Sequence, residues 1–187
     1  LVGTQMIAKG LHMPLVTRGG VVCADIGRYT ADYRAGERAF QVLSQVAGRA
    51  GRGPRGGRVV FQTYSPRNYA IQAAARQHYM RFYEQEIESR RALGYPPYSR
   101  LALLRYAHTN NEFARDEAAR LAGDYRRERD ARGIVLDVLG PAPGFPQRLR
   151  GRYRWHVVLR GADPAALLDA VAAPPGWDVD VDPAVLL

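Results

Sequence analysis

The run Gln45-Val46-Ala47-Gly48-Arg49-Ala50-Gly51-Arg52 decides how the first half of this chain is read. At about 100° per residue on a helix, Arg49 lies about 40° from Gln45 and Arg52 about 20° away on the other side. Ala39, Val42, Leu43, Val46, Ala47 and Ala50 fall on a different arc, roughly 60° to 200° around. One stripe therefore packs, while another presents a glutamine and two permanent cations together. Guanidinium groups stay charged and their planar fork matches phosphate oxygens. Gly48 and Gly51 leave room beside each arginine for a ligand or backbone to approach. The bland alternative is that both arginines complement the helix macrodipole and sit in water.

The flanking segments place this helix in a sheet. Residues 16–25 form a near-continuous apolar run, the pattern of a parallel strand covered on both faces. The helix is expected over residues 34–52, Gly53-Pro54-Arg55-Gly56-Gly57 breaks it, and residues 58–63 read as the next strand. Strand, helix and strand in this order predict part of a doubly wound α/β lobe, with Asp25 at the carboxyl end of its strand, where such sheets place ligands. Upstream, Gly3-Thr4-Gln5-Met6 opens a helix after a strand end, which frees backbone N–H groups for a phosphate. Thr4 and Gln5 can hydrogen-bond phosphate or sugar, and Lys9 adds a mobile charge. The same turn is also an ordinary strand-to-helix junction. The opening Leu1-Val2-Gly3-Thr4 reads as the tail of a strand, so the sequence is expected to be a piece of a longer protein.

Residues 66–93 read as one helix with Tyr79, Phe82, Tyr83, Glu86 and Ile87 on a mixed face, ended by Gly94-Tyr95-Pro96-Pro97. Beyond it come a strand (99–107), an amphipathic helix (111–132) with Gly133 as its C-cap, strands at 134–139 and 153–159, a short helix (164–171) and a strand (177–181). This β-α-β-β-α-β order predicts a ferredoxin-like α+β domain. The expected domains are therefore 1–65, a helical connector at 66–97, and 98–187.

Two further clusters stand out in that last segment. Arg148, Arg150, Arg152 and Arg154 recur every second residue, with Tyr153 and Trp155 between them. On one strand they would form a cationic face opposite an aromatic one, suited to a phosphate backbone or an acidic peptide or to protecting an edge strand from aggregation. Asp178, Asp180 and Asp182 alternate with valines; without the glycine turn and distal glutamate of a calcium loop they read as a solvated strand face.

The 187 residues carry 27 lysines and arginines against 18 acidic residues, a formal net charge of +9. Such a balance points to a polyanionic partner, most simply nucleic acid. Cys23, the sole cysteine, lies in an apolar run and reads as a reduced core residue. One cysteine and four histidines supply no zinc site within the chain. No segment is apolar enough to be read as a membrane span, and no nucleophile elbow is present.

Taken together, the motifs resemble a known family. Gln45 to Arg52 resembles motif VI of superfamily 2 helicases, and Gly3-Thr4-Gln5-Met6 with Ala8-Lys9-Gly10 resembles motif V. Adding Ala24-Asp25, Glu37-Arg38, Gln62-Thr63-Tyr64, Tyr83-Glu84-Gln85-Glu86, Leu139-Gly140-Pro141-Ala142-Pro143, Gly151-Arg152-Tyr153-Arg154-Trp155 and Asp180-Val181-Asp182-Pro183, the chain resembles the PriA family of primosomal replication-restart helicases along nearly its whole length. The resemblance implies the end of a second RecA-like lobe followed by a DNA-binding domain, in an ATP-dependent 3′–5′ DNA helicase of the bacterial cytoplasm and nucleoid.

By the same resemblance Arg49, Arg52 and Gln45 are the catalytic candidates at an ATP γ-phosphate, and Gly3, Asp25, Gly48 and Gly51 support that site. Thr4, Gln5, Lys9, Arg148, Arg150 and Arg154 are the DNA-binding candidates. Arg152 and His156 would receive the acidic C-terminal tail of single-stranded DNA-binding protein. Branched and single-stranded DNA and other primosome proteins are the implied partners of a monomer. ATP and magnesium would be held mainly by an upstream lobe, which would also carry the family's zinc, since the chain has no phosphate loop and should not hydrolyse ATP alone. Two positions depart from the family pattern: Leu11-His12-Met13, and His156 where glutamine is frequent. The rival readings are a non-hydrolysing DNA- and partner-binding module on the same scaffold, and an RNA-binding sheet, for which residues 99–107 lack the paired aromatics.

Overall fold

A computed structural model describes residues 3, 17–25, 32–50 and 57–186, the side chains of Arg49 and Ala50 excepted. Within these residues the chain is mixed α/β, with five helices, a parallel two-stranded sheet and an antiparallel four-stranded sheet. It divides into two units, Leu1–Ser89 and Arg90–Leu187.

In the first unit β1 (Arg18–Val21) lies parallel to β2 (Arg58–Phe61), with Arg18 opposite Arg58 and Val21 opposite Phe61. Helix α1 (Ala35–Ala50) follows β1 in the chain, and α2 (Tyr69–Ala75) and α3 (Tyr79–Leu93) follow β2. Phe40, Leu43, Ala70, Ile71, Ala73, Ala74 and Phe82 form its core with Ala24. Phe40 and Phe82 stack with their rings 4.3 Å apart. On the helical arc Phe40 lies at about 220°, just beyond the stripe predicted from the smaller residues, so the packing face is wider than expected.

Three expectations are corrected here. The first strand is not covered on both faces: Arg18 and Gly20 are exposed, and Val22 is 78% exposed. The strand ends at Val21, and Cys23 then adopts φ 63° and is exposed, so it is no core residue. The single helix expected over residues 66–93 is two. Gln77 takes φ 51°, the His78 N–H closes on the Ala73 carbonyl, and the His78 ring nitrogen Nδ1 accepts from the Arg81 N–H to start α3.

The second unit contains β3 (Arg100–His108), α4 (Asn111–Arg132), β4 (Leu136–Leu149), β5 (Arg152–Gly161), α5 (Pro164–Ala170) and β6 (Asp178–Val181). The sheet order is β4-β5-β3-β6, antiparallel throughout. Asn110 caps α4 by accepting the Phe113 N–H at 3.1 Å, and Gly133 closes it at φ 63°. Ala114, Ala118, Leu121, Ala122 and Tyr125 are all buried, as their spacing predicts. They pack on Ala102, Leu104, Val157 and Leu159, which lie on one face of the sheet, together with Leu167 of α5. No described helix is long and apolar enough to cross a membrane.

Strand β4 runs ten residues beyond the expected end at Leu139. Its pairing with β5 shifts register between Leu139 and Ala142 and again between Pro143 and Arg148. Pro141, Pro143 and Pro146 have no N–H to donate, and pairing is interrupted around them, resuming at Ala142–Pro143 and again at Arg148–Leu149. An Arg126 guanidinium nitrogen donates to the Val138 carbonyl at 3.2 Å and also to the Gly140 carbonyl, holding this irregular stretch against α4.

Candidate nucleic-acid interface

Two parallel strands ending side by side leave their carboxyl ends free for a ligand, and Asp25 sits there. It is buried at 5% exposure. One carboxylate oxygen accepts the Thr63 hydroxyl and the other accepts the Tyr64 N–H, both at 2.9 Å. Asp25 thus ties the segment after β1 to the segment after β2, a positioning role, and leaves the Tyr64 side chain 85% exposed at that edge. Gln45 is exposed on α1. Among the described residues, a Cβ added at Gly48 would meet the Gln77 side-chain amide at 3.9 Å, an ordinary contact. The backbone of Arg49 is helical, and Gly3 is exposed. Thr4, Gln5, Lys9, Gly51 and Arg52 lie outside the described residues, as does the side chain of Arg49.

In the second unit the arginine run does not lie on a single strand. Arg148 is in β4, Arg150 and Gly151 form the turn, and Arg152 and Arg154 are in β5. Leu149 pairs with Arg152, leaving a two-residue hairpin loop with φ 50° at Arg150 and φ 81° at Gly151. Positive φ at both loop positions matches the right-handed twist of the strands it joins. The expected common face is therefore divided. Arg148 sits opposite Tyr153 and lays its guanidinium over that ring, 5.1 Å from the centroid. This is the face that carries the helices, since the Trp155 indole N–H reaches Asn111 of α4 at 3.0 Å. Arg152, Arg154 and His156 point the other way.

On that opposite face a cavity of about 340 Å³ is lined by Arg105, Arg152, Arg154, His156, Asp178 and Leu186, among others. Arg152 donates to the Ala107 carbonyl at 2.7 Å, which fixes its stem while leaving charge in the cavity. Burial, and secondarily the Arg154 charge, holds the His156 imidazole below its usual pKa. His156 is therefore neutral at pH 7 and can accept a hydrogen bond there.

The neighbouring carboxylates are paired with arginines of β3. Arg105 pairs with Asp178 at 2.8 Å and Asp180 at 3.4 Å, and Arg100 pairs with Asp182 at 2.6 Å. Arg100 holds the Asp182 carboxyl below the usual carboxylate range. The aspartate row is solvent-exposed, as expected of a solvated strand face, and adjacent strand β3 presents arginines across it. Arg115, Arg120, Arg127, Arg129, Arg132 and Arg160 are likewise matched to acidic residues. Arg148, Arg150, Arg152 and Arg154 form no ion pair with any carboxylate among the described residues. Four guanidinium groups without carboxylate partners on one hairpin make this a locally cationic surface.

Residues 91–184 match the family model of the primosomal protein N C-terminal domain. The chain belongs to the PriA family. The matched residues coincide closely with the second unit, so the PriA domain and the arginine hairpin are one structure. The replication restart protein PriA of Synechocystis sp. is 43% identical over 160 residues, 86% of this chain and 19% of that protein. The Bacillus subtilis PriA is 41% identical over 160 residues, covering 86% of this chain and 20% of its own length. The Treponema pallidum PriA is 39% identical across 100% of this chain, which spans 29% of that protein. The chain therefore spans between about a fifth and three tenths of these relatives.

Sequence reading missed Arg105 in the cavity wall and the turn at Arg150-Gly151. The signal for the turn was available: Gly151 interrupts the alternation at the point where a hairpin needs positive φ. Among the described residues no group of three or more His, Cys, Asp or Glu side chains could hold a metal ion.

Proposed function

We propose that this chain is the C-terminal part of an ATP-dependent 3′–5′ DNA helicase that recognises stalled or branched replication forks and starts primosome assembly for replication restart. The relatives' name, replication restart protein PriA, supports the process. The observation that carries the DNA-binding half of the reading is the hairpin whose four arginines lack carboxylate partners among the described residues, in a unit where Arg100, Arg105, Arg115, Arg120, Arg127, Arg129, Arg132 and Arg160 are ion-paired.

In this reading the first unit belongs to a second RecA-like lobe, consistent with its parallel strand pair and intervening helix. Arg49 and Arg52, at the close of α1, stabilise charge on the transferring phosphoryl group of ATP, a contribution of roughly a thousandfold or more in rate for such a group. Gln45 positions the attacking water, with Gly3, Gly48 and Gly51 giving the nucleotide access. Asp25 shapes the edge through Thr63 and Tyr64. Thr4, Gln5 and Lys9 couple the event to the DNA backbone. ATP and magnesium are held mainly by an upstream lobe, which also carries zinc.

The second unit is a ferredoxin-like domain, a reading supported by its strand order and by two helices on one face. Arg148 and Arg150 hold branched or single-stranded DNA. Arg152 and His156 receive the acidic tail of single-stranded DNA-binding protein in the cavity; Arg154, expected at DNA, lines that same cavity and so is assigned to the tail instead. The protein acts as a monomer in the bacterial cytoplasm, at the nucleoid.

The test is Arg49→Ala in the complete helicase. DNA-stimulated ATP turnover should disappear while fork binding persists, because the hairpin is untouched. Undiminished turnover would remove the phosphoryl-transfer role and leave a DNA- and partner-binding module.

A further inference from the structure

Phe113 is 53% exposed on the first turn of α4, although capping there depends on the Asn110 side chain and the Phe113 backbone, not its ring. Its ring centre lies 4.5 Å from that of His108, and His108 is nearly coplanar in orientation with Tyr106, at 3° and 6.4 Å. His108 pairs across the sheet with Tyr153, the ring beneath the Arg148 guanidinium. The chain thus brings an aromatic row from β3 and α4 to the same end of the sheet as the hairpin turn. Among the described residues Arg148 and Arg150 there form no ion pair with a carboxylate, although α4 also presents Glu112 beside Phe113.

A lone exposed phenylalanine needs no explanation. An exposed ring continuous with a stack and bordered by unneutralised guanidinium groups has the two parts of a single-strand site: a π-face for the base and cations for the backbone. An acidic peptide would use the cations but offers a flat partner only where it carries an aromatic residue, whereas every nucleotide of a single strand carries a base. Paired bases in a duplex hide their faces. We infer that Phe113, supported by His108, is a nucleobase-stacking platform for single-stranded DNA whose phosphates run past Arg148 and Arg150. The inference rests on the proposed DNA-binding role of the hairpin and adds to it residues on α4 and β3 that are separate from the cavity on the opposite face.

The measurement is fluorescence anisotropy of the 187-residue chain with a thymidine oligonucleotide and with an abasic oligomer of equal length. The unaltered chain should bind the base-bearing strand about tenfold more tightly. Phe113→Leu should erase that preference while leaving abasic binding unchanged. An Arg148→Ala, Arg150→Ala double variant should weaken both strands alike. Equal affinity of the unaltered chain for the two oligomers, or a preference that survives Phe113→Leu, overturns stacking while the polyanion reading stands. Unchanged affinity in the arginine variant overturns the polyanion reading and the stacking proposal with it.

Discussion

Replacing Gly36 with alanine sets a gain against a loss that the structure resolves. Gly36 lies in the first turn of α1, where alanine should favour the helix by about 1 kcal/mol. Its added methyl, however, would stand 2.7 Å from a Glu86 carboxylate oxygen and 2.8 Å from the Tyr69 hydroxyl. Those two atoms are already joined, the Tyr69 hydroxyl donating to Glu86 at 2.6 Å, and Glu86 is only 7% exposed. Restoring ordinary contact needs a shift of about 0.7 Å in a group with little free space. Tyr69 stacks on Phe82 at 6.1 Å, so its ring cannot yield without disturbing the core. Overpacking costs about 1–3 kcal/mol, and weakening a hydrogen bond to a buried carboxylate costs roughly 1.5–3 kcal/mol more. The net expectation is a loss of about 1.5–5 kcal/mol in the first unit. Urea unfolding followed by tyrosine fluorescence would measure it. Combining Gly36→Ala with Tyr69→Phe should recover part of the loss, since the hydroxyl is one of the two obstructions, with a coupling of about 0.5–3 kcal/mol. A Gly36→Ala chain as stable as the original, or strictly additive effects in the cycle, would refute the contact argument.

Other consequences follow from the second unit. Arg148→Ala with Arg150→Ala should reduce the magnitude of the salt slope for single-stranded DNA by about 1.4, at roughly 0.7 per lost phosphate contact; titrations at several salt concentrations would read it, and an unchanged slope would mean neither group meets phosphate. His156 titrates below its ordinary value, so a carboxylate entering the cavity should draw a proton onto the ring. Affinity for an acidic peptide should therefore rise as pH falls from 7.5 toward 6, and His156→Gln should flatten that dependence; calorimetry at two pH values would decide. The depressed value also means His156 contributes stability fully present above the unfolded pKa of about 6.5 and lost as pH falls through the folded value.

Legibility followed the range of the interactions. Helix α4 was readable because its cap, its apolar spacing and its closing glycine are local signals, and the five buried residues on its inner face agree with them. The division of the arginine run was not. Alternating arginines fit one continuous strand as well as two strands and a turn, and only the pairing of Leu149 with Arg152 separates these readings. Asp178, Asp180 and Asp182 read correctly as a solvated face, but their partners, Arg100 and Arg105, are more than seventy residues away in the chain and were not legible. Cys23 looked buried from its apolar neighbours, yet one residue with positive φ turned it outward. At the first candidate site, sequence could name Asp25 but not the Thr63 hydroxyl and Tyr64 amide that consume its two oxygens.

In the proposed reading the hairpin's two faces take different guests but share one reservoir of charge. A strand lying along Arg148 and a tail lodged beside Arg152 would not collide, since the sheet separates them. Each would nevertheless lower the positive potential felt by the other across only a few ångströms of protein. Occupants so arranged antagonise without touching, and the antagonism fades as added electrolyte screens it, so ionic strength would tune whether the two bind together or in turn.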